Sequence, residues 1–135
     1  EMVAVDISGS GDVTDSAIAW RHARQVPEIS SPIVVGGDLY FASSQGVVSC
    51  LNAVTGKLVW QERVGGKFAA SPIFAEGRIY FCNSAGVTTV IQPGHTYVEL
   101  ASNELFGETY SSLAVYGNKI LLRTNPYLFC LEATP

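Results

Sequence analysis

In the stretch DISGSGDVTD, Asp6, Ser8 and Ser10 place side-chain oxygens at alternate positions and Gly11 follows them. This matches the opening half of a calcium loop, where alternating oxygens converge on the ion and a glycine permits the sharp turn. The closing half is absent, because position twelve of that register is Ala17 rather than a bidentate glutamate. The segment from Asp6 to Asp15 therefore reads as an elaborated hairpin loop, with a cation site as the alternative. A phosphate nest is a second reading of Gly9-Ser10-Gly11, and a weaker one, since no helical pattern follows it.

The other reactive side chains are scattered. His22 follows Trp20 by two on an expected strand, so these two share a face while Arg21 and Ala23 take the other. His95 sits beside Gly94 at a turn. No nucleophile-elbow motif anchors any of the serines. Glu62, Glu99, Glu104 and Glu108 read as solvated charges of outer strands and loops. Cys50 and Cys130 occupy the same strand two repeats apart and Cys82 a different strand, beyond the roughly 7 Å Cα reach of a disulfide. No C-x-x-C pair suggests zinc, and three buried apolar thiols are expected. No catalytic, cofactor-binding or metal-binding residue is assigned, and no cofactor is expected.

The elements that would have to position such groups are strands, and they repeat. SSPIVVGGDLYF (Ser30 to Phe41) returns as ASPIFAEGRIYF (Ala70 to Phe81), with Pro32 and Pro72 40 positions apart. It returns again as SSLAVYGNKILL (Ser111 to Leu122), where Leu113 replaces the proline and the step is 41. Cys50, Val90 and Cys130 follow at equal steps of 40, and Trp20 and Trp60 are also 40 apart. Gly36-Gly37, Glu76-Gly77 and Gly117-Asn118 sit at one equivalent point between apolar runs, where residues that tolerate positive φ make a tight primed hairpin. Within Ile29 to Phe68 the runs PIVV, DLYFA, VVSCLN and KLVWQER make a four-stranded antiparallel meander. A four-stranded unit of about 40 to 45 residues is the blade of a β-propeller.

The sequence LNAVTGKLVWQERVGGKFAASPIFAEGRIYF resembles the pyrroloquinoline-quinone-like (PQQ-like) propeller repeat. That pattern is a Leu-Asp-Ala-x-Thr-Gly-x-x-x-Trp hairpin followed by Ser-Pro-x-x-x-x-Gly-x-x-Tyr. The match runs through Leu51, Ala53, Thr55, Gly56, Trp60, Ser71, Pro72, Gly77 and Tyr80, with Asn52 where the family usually has Asp.

The expected fold is all-β, a propeller segment of about three four-stranded antiparallel blades, partial at both ends. Residues 1–28 read as the end of a preceding blade, with MVAVDI and AIAWRHA joined by the polar loop. Residues 29–68 and 69–110 read as full blades. In the second of these, IQPGHTYVELA replaces LNAVTGKLVWQ, with an expected shorter loop and no Trp. Residues 111–135 read as an incomplete blade that ends before a fourth strand. Because blades are sandwiched, Leu58 and Trp60 are expected to face one neighbour and Val59 the other.

Charged residues are 15% of the chain, against roughly 25% in ordinary soluble proteins. Hydrophobic residues are 47%, yet no run approaches the roughly 18 apolar residues of a membrane span. A net charge of −4 without a Lys/Arg cluster argues against nucleic acid and against an anionic membrane surface.

The resemblance has two functional branches. In quinoprotein dehydrogenases it implies PQQ and calcium near the centre of an eight-bladed ring, with adjacent cysteines in a disulfide. This chain has no adjacent cysteines, and no ligand residue is carried over. The other branch consists of non-catalytic scaffolds and extracytoplasmic bacterial sensors that hold proteins or peptides on rim loops. The expectation is a non-catalytic binding or scaffold module, periplasmic or extracellular by resemblance, that binds neither PQQ nor calcium. The alternative is a fragment of a quinoprotein dehydrogenase or other propeller enzyme whose active residues lie elsewhere. Self-association, or the remaining blades of a longer chain, is expected to close the ring.

Overall fold

The computed structural model describes residues 1–132, and every helix or strand element among them is a β-strand. Ala133, the expected end of the last strand, and the stop before a fourth strand lie outside the described residues. The first sheet pairs β1 (Met2–Val5) with β2 (Ile18–His22). The second is the meander β3 (Ile33–Val35), β4 (Asp38–Ala42), β5 (Val47–Asn52) and β6 (Leu58–Arg63). A third repeats it with β7 (Ile73–Ala75), β8 (Arg78–Cys82), β9 (Val87–Ile91) and β10 (Glu99–Glu104). The fourth sheet holds β11 (Ala114–Tyr116), β12 (Lys119–Arg123) and β13 (Leu128–Glu132). All neighbours pair antiparallel, as expected for the all-β blades of a propeller segment.

The β3–β4 turn puts both Gly36 and Gly37 at positive φ, and the β7–β8 turn does the same with Glu76 and Gly77. This is what a type I′ turn needs, and it matches the twist of the flanking strands. At the β11–β12 turn, Gly117 has positive φ and Asn118 does not, the pattern of a type II′ turn.

The core lies in the seams between sheets. Met2 and Trp20 pack on Leu39, Phe41 and Leu51 in the first seam. Tyr40, Val48 and Cys50 meet Ile79, Phe81 and Ile91 in the second, with Phe68 of the connecting segment between them. Ala70 and Cys82 meet Leu113 and Leu122 in the third. Serines also clasp successive sheets: Ser31 N–H donates to Ser71 Oγ, and Ser71 N–H to Ser112 Oγ, each at 2.9 Å.

Two expectations are corrected. Leu58 does not share a face with Trp60. Leu58 pairs with Leu51 and Trp60 with Cys50, leaving Val59 as the extra residue of a β-bulge. That extra residue resets the alternation, so Val59 and Trp60 both pack on the second seam while Leu58 is 53% exposed. Bulges recur at Ala19 and Leu100 in the other outer strands. The β9–β10 loop is also longer than its β5–β6 counterpart, not shorter. From Ile91 to Ala101 is one residue more than from Leu51 to Trp60 in equivalent pairings. This insertion moves the repeat step from 40 to 41.

Candidate functional site

The second seam gathers the most titratable groups. Asp38 and Tyr40 come from β4, Cys50 from β5 and Trp60 from β6, and the β9–β10 loop lays Gly94, His95 and Tyr97 over them. Trp60 Nε1 donates to Gly94 O at 2.8 Å, and Gly94 N–H donates to Tyr40 Oη at 2.9 Å. Trp60 lies between Tyr40 and Tyr97, with ring centroids 6.0 and 5.3 Å away. His95 Nε2 is 3.0 Å from Oδ2 of the buried Asp38. The first seam repeats the indole contact, with Trp20 Nε1 donating to Ala53 O at 3.0 Å. Asn52, at the position where the repeat usually has Asp, closes the β5–β6 turn, its Oδ1 accepting from both Thr55 N–H and Thr55 Oγ1 at 2.9 Å.

Burial governs the protonation of this cluster. It pushes the Cys50 thiol from 9.0 up to about 11 and the Tyr40 phenol from 10.0 up to about 12. Tyr97 also rises, through burial first and then its hydrogen bond to Glu99. These groups are neutral near pH 7, which suits packing and leaves Cys50 a poor nucleophile. Because the folded state holds these protons more tightly, their contribution to stability is intact below pH 9 and falls as pH rises through about 11 to 12. A urea midpoint that drops between pH 8 and pH 10.5, and drops less in Cys50→Ala, is the expected result. Equal losses in both proteins would remove Cys50 from the account.

The polar N-terminal loop caps itself. Asp6 Oδ1 accepts from Ser8 N–H at 2.8 Å, and Asp12 Oδ1 accepts from Thr14 Oγ1 at 2.7 Å and from its N–H at 3.1 Å. These bonds hold both carboxyls below their usual range. Among the described residues no group of three or more His, Cys, Asp or Glu side chains could hold a metal ion. His22 shares its face with Trp20, its ring edge-on to Phe41 at 6.0 Å, and its buried Nε2 has no partner among the described residues. The four outer glutamates are exposed as expected. All three cysteines are free, and Cys50 and Cys82 are buried. Cys130 is exposed, a correction to the expectation of three buried thiols. It lies on the outward face of the fourth sheet, at the position that the third sheet covers in the second.

Sequence reasoning missed a group of surface aromatics. Phe106 follows β10, Tyr127 lies in the β12–β13 turn and Phe129 is on β13. Tyr127 is 6.2 Å from Phe106 and 5.7 Å from Phe129 between ring centroids. Phe106 is 74% and Tyr127 55% exposed. The segments LFGE and NPYLF carried the signal, but they are remote in sequence and were legible only as a connector and a strand.

A family model described as outer membrane protein assembly factor BamB matches residues 9–127. The chain belongs to that family. The resemblance to PQQ-like repeats is thereby borne out. The crystal structure of BamB from Moraxella catarrhalis aligns with a TM-score of 0.67 at 17% identity, covering 86% of this chain and 40% of that one. At that identity the likeness to BamB is one of fold. The beta-alanine-activating enzyme of Danio rerio is 34% identical over 100 residues, 68% of this chain and 9% of that protein. The chain thus spans less than half the length of either relative. Among the described residues, no helix is long and apolar enough to cross a membrane.

Proposed function

We propose that this segment is a non-catalytic binding or scaffold module of the BamB-like propeller type, holding a protein or peptide partner on its rim. The observation that carries the reading is the exposed pair Phe106 and Tyr127, with the half-buried Phe129 edge-on to Tyr127. Exposed apolar patches mark interaction surfaces, and aromatic residues are enriched at interface cores. The test is a photoreactive phenylalanine analogue placed at 106 or 127 of the full-length protein. Adducts with one common partner at both positions, and none from the exposed control position Val34, are expected. Equal labelling at Val34 would overturn the reading.

Membership of a family of outer membrane protein assembly factors supports the periplasmic or extracellular setting and a bacterial parent. The Danio rerio relative, an enzyme by name, supports the alternative. There the segment serves an enzyme whose active residues lie outside it.

Ring closure belongs to the same proposal. Tyr116, Leu128 and Cys130 are exposed on the fourth sheet where Val48 and Cys50 of the second are fully covered. An open face of on the order of 400 Å² of apolar surface costs about 10 kcal/mol at about 25 cal/mol per Å². Further blades or a second copy would cover it. The isolated 135-residue chain is accordingly expected to self-associate in light scattering at about 10 to 50 μM. A stable monomer that binds no hydrophobic dye would refute this.

A further inference from the structure

The segment that carries the chain from the third sheet to the fourth, Glu104 to Tyr110, keeps the backbone of its predecessor and changes its surface. Leu105 N–H donates to Gly86 O as Val64 N–H does to Gly46 O, and Asn125 N–H donates to Glu108 O as Ser84 N–H does to Lys67 O. These matched bonds align the two segments at a step of 41 residues. At that step Phe106 stands for Gly65, Glu108 for Lys67 and Tyr110 for Ala69. A glycine, a cation and a methyl group have become two rings and a carboxylate, and all three new side chains are exposed.

Tyr127 completes this surface from the fourth sheet. Its ring centroid is 6.2 Å from that of Phe106, with the planes at 53°. Glu104 and Glu108, each two residues from Phe106, are exposed, and among the described residues neither makes an ion pair. No neighbouring base offsets them. Arg78, Lys119 and Arg123 are the basic residues between Phe68 and Glu132. Arg78 and Lys119 open β8 and β12, at the ends remote from the β8–β9 and β12–β13 turns, and Lys119 is 3.6 Å from Glu132. Arg123 pairs with Leu128 and Leu122 with Phe129, so alternation along β12 sends the Arg123 side chain to the face opposite Phe129. Two exposed rings are left beside two unpaired carboxylates.

We propose, resting on the reading of this rim as a protein- or peptide-binding surface, that its occupant is a basic peptide segment: an arginine or lysine side chain lies on Phe106 and Tyr127, its charge met by Glu104 and Glu108. Ring faces carry the negative part of the aromatic quadrupole, so rings and carboxylates attract the same ligand. An apolar partner would desolvate the carboxylates without a counter-charge, and an acidic one would be repelled. Arginine suits the surface best, since its planar guanidinium stacks on a ring while its N–H groups reach a carboxylate. The net charge of −4 favours encounter with such a partner.

The test is fluorine NMR of the full-length protein carrying 4-fluorophenylalanine at position 106, titrated with the end-blocked peptide Gly-Arg-Gly-Arg-Gly and with its analogues that have citrulline or leucine in place of both arginines. Citrulline keeps the shape of arginine and drops its charge. The arginine peptide is expected to shift the resonance with a Kd on the order of 1 mM at low salt, since exposed cation–π contacts and surface ion pairs are each weak. Both analogues should bind about fivefold or more weakly. Raising salt from about 0.02 to about 0.3 M should weaken the arginine peptide several-fold. Glu104→Gln combined with Glu108→Gln should weaken it about threefold or more and remove most of the salt dependence. Tyr127→Ala should weaken it without changing the salt dependence. An analogue that binds as tightly as the arginine peptide, or a double variant that binds it like wild type, would overturn the basic partner and leave the rim a binding surface. No shift from any of the peptides would also overturn it, and the crosslinks from positions 106 and 127 then decide separately whether the rim binds a partner at all.

Discussion

Replacing Trp60 by alanine is expected to destabilise the protein by about 3 kcal/mol, the lower end of the range for truncating a buried aromatic. The lower end applies because the indole is half-buried rather than enclosed. Three losses combine. The ring leaves a gap between Tyr40 and Tyr97, which come from different sheets. Gly94 O loses its 2.8 Å donor and keeps only the Tyr40 hydroxyl at 3.5 Å. The β9–β10 loop then loses its main anchor on the second sheet, and the His95–Asp38 contact depends on where that loop sits. Trp60→Phe separates these effects, since it keeps most of the apolar contact and removes only the N–H. It should cost about 1 kcal/mol, the usual net worth of one hydrogen bond. Urea unfolding midpoints measure both. Equal losses in the two variants would show that the hydrogen bond, not the packing, joins the seam. A loss well under 1 kcal/mol in Trp60→Ala would contradict the seam as drawn.

Much of the fold was legible because its signals are local. Gly36-Gly37 and Glu76-Gly77 announce hairpins through the backbone conformation they tolerate, and the apolar runs between them are too short for helices. What escaped was non-local or offset by a single residue. The bulge at Val59 inverts the face of Leu58 without any change in composition, because apolar residues occupy 58, 59 and 60 alike. Burial of Cys130 could not be read from its repeat position, since coverage of an outward face depends on the sheet that follows. The pairing of His95 with Asp38 joins residues on different sheets, brought together by a loop whose extra residue the sequence displayed only as a slipped spacing. Function was less legible than fold for one physical reason: the side chains that meet in a seam or in the exposed aromatic group come from two blades, and no single motif encodes them.

The second large effect is expected at Gly46, where alanine should cost about 2 to 5 kcal/mol. Two independent penalties add there. Gly46 has φ +80, a conformation that costs a residue with a Cβ roughly 1 to 2 kcal/mol. A Cβ at this position would also lie 2.6 Å from Gly66 O and 2.8 Å from the carbonyl carbon of Gly65. Both are backbone atoms, so relief requires moving the chain rather than a rotamer, and overpacking of this kind adds about 1 to 3 kcal/mol. The contact matters because it is the strap between blades: Val64 N–H and Gly65 N–H both donate to Gly46 O at 3.0 Å as the chain leaves β6 for the third sheet. Gly86 repeats the arrangement 40 residues on, with φ +86, an approach to Leu105 O, and a 3.1 Å bond from Leu105 N–H to its own carbonyl. Gly37→Ala is the control, since its φ is +89 but nothing lies within 4 Å of the added methyl. It should lose only the conformational part, about 1 to 2 kcal/mol. Urea midpoints that rank Gly46→Ala and Gly86→Ala together, both clearly below Gly37→Ala, would attribute the excess to the strap. If all three fall together, the close approach contributes nothing and the connecting segments are free to shift away from the β4–β5 and β8–β9 turns.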